Sequence, residues 1–133
     1  MNNSNIELFG LHLMFDGYNC DPGKLDDREY VFNVIDGLRE HIGMTELTKP
    51  VVVKALGNDH HDPGGLSGFV IIKESHISVH TFVKRKFVTA DVYSCKQFDT
   101  NSVTNYLKKA FATEDADVFI QKRGLRYPKE NLI

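Results

Sequence analysis

The periodicities of this 133-residue chain predict an α+β fold: a two-layer α/β sandwich whose mostly antiparallel sheet carries two helices on one face. Two segments repeat apolar residues at helical spacing, and the remaining apolar residues fall in short runs of strand length. No repeat, linker or low-complexity tract divides the chain, so residues 1–133 read as one domain, long enough to build a core without disulfide staples.

Ile6 to Phe15 alternates as a strand, with Phe9, Leu11, Leu13 and Phe15 on one face. Cys20-Asp21-Pro22-Gly23 is turn chemistry. Asp26 or Asp27 can cap a helix with the stripe Val31, Val34, Ile35, Leu38 and Ile42, and Gly43 suits its C-terminal stop. Val51 to Val53 is a second strand, Gly57 to Gly65 a loop, and Phe69 to Ile72 a third strand. Ile77 to Val83 and Phe87 to Cys95 form a hairpin with Lys84-Arg85-Lys86 at its tip. Asp99 or Ser102 can cap a second helix that buries Val103, Tyr106, Leu107, Ala110 and Phe111, and Val118 to Gln121 is a last strand.

At 41% hydrophobic and 26% charged residues, the composition is that of an ordinary soluble globular protein. A formal charge of -2 argues against nucleic acid or an anionic membrane as partner. Met1-Asn2-Asn3-Ser4-Asn5 lacks a basic start and an apolar core, and no apolar run approaches membrane-spanning length. Cytoplasm is the expected compartment. Cys20 and Cys95 are too few and too far apart for a metal knuckle and read by default as free thiols. His60-His61, flanked by Asp59 and Asp62, lacks the spacing of a helical zinc site and a third ligand, so no metal is expected there.

The stretch richest in chemistry runs Lys73-Glu74-Ser75-His76-Ile77-Ser78-Val79-His80-Thr81-Phe82, with Cys95 downstream. It supplies a nucleophile, a base and a proton donor. Glu74 to Thr81 resembles, position by position, the processing site of the prokaryotic S-adenosylmethionine decarboxylase family, Glu-Ser-His-(Ile/Leu)-(Ser/Thr)-(Ile/Val)-His-Thr. Asp91-Val92-Tyr93-Ser94-Cys95 resembles the family's Asp-Val-Phe-Thr-Cys, and Pro63-Gly64-Gly65-Leu66-Ser67-Gly68 its Pro-x-Gly-(Val/Ile)-Ser-Gly. Gly10-Leu11-His12-Leu13 and Tyr18-Asn19-Cys20-Asp21 also fit, so the resemblance covers most of the chain in order.

The resemblance implies self-cleavage between Glu74 and Ser75 into a β chain, 1–74, and an α chain, 75–133, usually in a homodimer of processed protomers. The Ser75 hydroxyl would attack the carbonyl of Glu74 and turn the peptide into an ester. His80 would then remove the α-proton, and Ser67 would assist by hydrogen bonding to the carbonyl. Elimination would leave a pyruvoyl group derived from Ser75, which decarboxylates an amino-acid-type substrate through a Schiff base. Cys95 would protonate the former α-carbon. Gly64, Gly65 and Gly68 would permit close backbone approach around Ser67. His76 belongs to the motif without a catalytic role.

The substrate-reading positions depart from the pattern. The family's Trp-Pro-Glu after His-Thr is here Phe82-Val83-Lys84. The family glutamate is associated with the ribose hydroxyls, and an ammonium reverses both its charge and its hydrogen-bonding sense. Phe82 keeps an aromatic face. His61 stands where the family often stacks an aromatic on adenine. The resemblance therefore implies decarboxylation in polyamine (spermidine) biosynthesis with S-adenosylmethionine as first-named substrate. Arginine or ornithine are the alternatives, with Asp16, Asp59 and Asp62 as candidate partners for a distal cation. An unprocessed regulatory paralogue is the non-enzymatic reading.

Overall fold

One six-stranded sheet carries the fold, and the computed structural model describes it through residues 9–57 and 64–128. In chain order the elements are β1 (Gly10–Tyr18), a short helical turn α1 (Pro22–Leu25), α2 (Arg28–His41), β2 (Val51–Leu56), β3 (Gly64–Ile72) and β4 (Ser75–Phe82). A 3-10 turn (Val83–Arg85), β5 (Phe87–Ser94), α3 (Thr100–Ala110) and β6 (Asp115–Arg123) follow. The sheet order is β2-β3-β4-β5-β1-β6. Every neighbouring pair is antiparallel, so the expected sandwich stands with a sheet antiparallel throughout.

Local chemistry sets the helix ends. Asp27 caps α2 by accepting from the Tyr30 N–H at 3.0 Å, and Asp99 caps α3 by accepting from the Ser102 N–H at 3.1 Å. Gly43, at φ +71°, lies just past the end of α2 and supplies the left-handed conformation that a helix exit favours. The segment expected as a plain turn after Cys20 winds once as α1, because Asp21 caps it and Pro22 pre-sets the backbone at its first turn.

Both helices lie on one side of the sheet, α2 over β2 to β4 and α3 over β1 and β6. Alternation along the strands does the sorting. Leu13, Phe15, Ile77, Val79, Val88 and Val92 are fully buried under the helices, where they meet Val31, Ile35, Leu38, Val103, Leu107 and Phe111. The alternate positions form an open face, and among the described residues no second layer covers it. On it a register row runs Val53, Ser67, His80, Thr89, Asp16, Asp117 from one edge to the other.

β3 begins at Gly64, five residues earlier than the apolar run suggests. The glycines there belong to strand pressed against its neighbours: a Cβ at Gly65 would run into the Thr81 carbonyl oxygen, and one at Gly68 would sit 2.7 Å from Ile35 Cδ1. The β3–β4 register is recorded from Ile72–Ser75 to Ser67–His80. One position further, the buried Thr81 hydroxyl accepts from the Leu66 N–H at 2.9 Å and donates to the Leu25 carbonyl at 2.7 Å. Thr81 thereby ties the sheet to α1.

Replacing that hydroxyl by a methyl leaves two buried backbone groups without their partner. The Thr81→Val variant should lose about 2–4 kcal/mol of stability, read from urea midpoints at unchanged slope. An unchanged midpoint would show that the clamp contributes nothing.

Candidate active site

The candidate residues gather at the two ends of β4. At the β3–β4 turn, Glu74 and Ser75 enter the strand, and the Glu74 carbonyl accepts from the Cys95 N–H at 2.8 Å. The Glu74 carboxylate accepts from the Thr45 N–H at 3.3 Å, so both polar ends of that residue are held. Ser75 has a φ of +154°, a value that residues other than glycine rarely adopt and that costs on the order of 1–3 kcal/mol. Strain therefore sits on the residue expected to react, behind a carbonyl already polarised by an N–H donor.

Cys95 is exposed directly after β5, whereas Cys20 is buried. Burial pushes the Cys20 thiol up to about 11, which suits an inert core residue.

At the other end of β4, Ser67 Oγ and His80 Nδ1 share a hydrogen bond of 2.9 Å across the β3–β4 register. A cavity of about 380 Å³ opens beside the pair, lined by Val51, Val53, Phe69 and Ser78. Phe82, also on the open face, meets the Phe87 ring at 5.5 Å. Lys84 is exposed in the 3-10 turn and does not line that cavity. His61, Asp59 and Asp62 lie outside the described residues.

Ser75 and His80 are thus five residue steps apart along the strand, roughly 16 Å of extended backbone. Within one chain, Ser67 partners His80, and the donor to the Glu74 carbonyl is the Cys95 main chain. Spacing in sequence did not announce this division. The donor is a backbone group that any residue but proline would supply at position 95, so no side chain marks it.

Further across the open face, His12 Nε2 lies 2.9 Å from Asp91 Oδ1, and Arg123 stacks on the Tyr93 ring at 4.7 Å. Asp16 has its carboxyl raised above the ordinary range, first by burial and then by Asp117 and Asp91. Two strand spacings, roughly 10 Å, separate it from His80. Among the described residues no group of three His, Cys, Asp or Glu side chains could hold a metal ion. No described helix is long and apolar enough to cross a membrane.

Residues 11–124 match the family described as S-adenosylmethionine decarboxylase. The chain is 32% identical over 116 residues to the S-adenosylmethionine decarboxylase proenzyme of Clostridium botulinum (strain Loch Maree / Type A3), spanning 86% of this chain and 94% of that one. With the proenzyme of Geobacillus kaustophilus the identity is 26% over 121 residues, covering 91% and 92%. The fold superposes on the crystal structure of the adenosylmethionine decarboxylase from Aquifex aeolicus with a TM-score of 0.75 and 25% identity, over 89% of this chain and 92% of the other.

An antiparallel sandwich with these relatives along nearly its whole length places the protein among the pyruvoyl-dependent carboxy-lyases. Within that class, the chain belongs to the S-adenosylmethionine decarboxylase family.

The backbone at position 75 gives a direct test of stored strain. Neither Ser75→Gly nor Ser75→Ala should be cleaved, but glycine tolerates the observed φ and alanine does not. The glycine variant should be the more stable by about 1 kcal/mol, roughly 3–5 °C in Tm by calorimetry. An alanine variant of equal or greater Tm would show that Ser75 is not held in a strained conformation.

Proposed function

We propose that this chain is the proenzyme of a polyamine-pathway S-adenosylmethionine decarboxylase that cuts itself before Ser75 and completes its site with a second copy of itself. The observation that carries this reading is the division of the reactive groups between the two ends of one strand. Glu74, Ser75 and Cys95 stand at one end and Ser67 with His80 at the other, roughly 16 Å apart.

A two-fold axis lying between two open faces, crossing β4 near Ile77 and Ser78, would place the Ser67–His80 end of one copy over the Glu74–Ser75 end of the other. Sheets stack about 10 Å apart, close enough for side chains of both faces to meet. The open face has the surface for it, since Val51, Val53, Phe69, Ile71 and Phe119 are each about half exposed there.

In this arrangement the Ser75 hydroxyl attacks the Glu74 carbonyl, and the Cys95 N–H receives the oxygen as it becomes negative. The peptide C–N bond breaks and an ester C–O bond forms. A His80 imidazole from the other copy, oriented by Ser67, removes the Ser75 α-proton. Elimination expels the Glu74 carboxylate at the end of chain 1–74, and water releases ammonia to leave the ketone on chain 75–133. The strained serine, the held carbonyl and the adjacent thiol all fit such a group. A pyruvoyl group at position 75 would supply a carbonyl for the substrate amine and an electron sink for the loss of carbon dioxide. Cys95 then supplies a proton to the substrate carbon.

The wall of the cavity beside His80 favours S-adenosylmethionine over arginine or ornithine. Its described lining residues are Val51, Val53, Phe69 and small polar groups, with no carboxylate for a distal cation. An uncharged nucleoside suits it better.

Mixed dimers test the composite site. Alone, Ser75→Ala and His80→Ala should both persist uncut. Co-expressed, the His80→Ala chain should be cleaved, because its Ser75 can meet the partner copy's intact imidazole. Intact mass would show the two fragments, and carbon dioxide release from S-adenosylmethionine should recover with them. Failure of cleavage in the mixture would place the complete site within one chain.

A further inference from the structure

Ser94 is fully buried at the end of β5, opposite Ser75 in the register and immediately before Cys95. Its hydroxyl donates to the Lys96 carbonyl at 2.7 Å and accepts from the Lys96 N–H at 2.8 Å. One oxygen therefore clasps both polar groups of the residue after Cys95, while the strand holds the residue before it. Met44 backs the clasp, its sulfur 3.7 Å from the Ser94 oxygen, and the Lys96 ammonium donates to the Gly43 carbonyl at 3.2 Å. Between these fixed points Cys95 has its N–H on the Glu74 carbonyl and its side chain exposed. Without the clasp, the Ser94–Lys96 turn would be tethered on one side only.

We propose that Ser94 is the positioning residue for Cys95, setting both its N–H against the Glu74 carbonyl and its thiol against the substrate carbon. The inference rests on Cys95 as proton donor. It extends that reading because the site of protonation decides the fate of the enzyme. A proton delivered to the substrate carbon completes turnover. If instead the carbon of the former ketone takes the proton, that carbon is reduced and the substrate carbon oxidised. Water then releases the substrate as an aldehyde, and the amine stays on the protein as an alanyl N-terminus. A thiol held in one place suppresses this second outcome; a loose one does not.

Ser94→Ala should therefore lengthen the life of the uncut precursor. After cleavage it should raise the fraction of alanyl ends formed per turnover by roughly tenfold, measured by N-terminal sequencing of the α chain. Sequencing discriminates sharply, since a pyruvoyl end is blocked and an alanyl end is not. Ser94→Thr restores the hydroxyl and should return both quantities toward the unmodified protein. A general loss of stability would slow turnover without changing this partition.

Cys95→Ala separates the two levels of the argument. If it fails to raise alanyl ends, Cys95 is not the proton donor and the inference falls with that reading. Should Cys95→Ala raise them while Ser94→Ala matches the unmodified protein, the role of Ser94 alone is overturned. A Ser94→Ala precursor that is never cleaved can be read in the Ser75→Ala background by amide hydrogen exchange at Cys95. Faster exchange supports the clasp, and unchanged exchange refutes it.

Discussion

The site's geometry depends on the extended backbone of β4. A strand cannot bend back on itself, so the five residue steps from Ser75 to His80 set a separation that no side-chain rotamer can close. Neighbouring strands make the separation rigid. β5 grips the first end through the Cys95–Glu74 bond, and β3 grips the second through the Ser67–His80 register. Each pair is held by its own strand neighbour, and the two pairs lie apart along a single chain.

That rigidity comes from the buried side of the sheet. The helices cover one face only, and the core beneath them dictates which side chains of β3, β4 and β5 turn outward. A one-residue slip would bury His80 and expose Val79. Gly65 and Thr81 oppose such a slip where it would matter most. The absent Cβ lets β3 approach the Thr81 carbonyl, and the Thr81 hydroxyl binds Leu66, next to Ser67. Stability and the placement of the histidine are therefore one property of the packing.

Much of this was legible beforehand. Helix caps and stripes follow from local chemistry, and Asp27 and Asp99 cap where carboxylates were expected. The candidate reactive residues stand out by type and order. What linear reading could not supply was their partition: Ser75 and His80 look close at five residues apart, and a helix would have kept them within two turns. Only the period-two alternation of Ile77, Val79 and Thr81 converts that spacing into distance. The Cys95 N–H and the Ser94 clasp were invisible for another reason, since both work through main-chain atoms. The start of β3, Gly64 and Gly65, read as loop because glycine has poor strand propensity, a preference overridden here by close packing.

The departures from the family pattern at Phe82 and Lys84 gain meaning from where they lie. Both stand past the last register pair of β3 and β4, at the end of the β4–β5 hairpin. The tip beyond them is a 3-10 turn whose exit, Lys86, takes a left-handed φ of +54°. Among the described residues, its main-chain hydrogen bonds run from the Lys86 N–H to the Val83 carbonyl and from the Cys20 N–H to the Lys86 carbonyl. None of those bonds involves the Ser67–His80 pair or the Cys95–Glu74 bond. The fold thus separates the candidate reactive groups, held at the sheet, from an exposed hairpin tip. Lys84 is exposed on that tip, so its side chain can differ from the family's glutamate while the Ser67–His80 and Cys95–Glu74 hydrogen bonds stay in place.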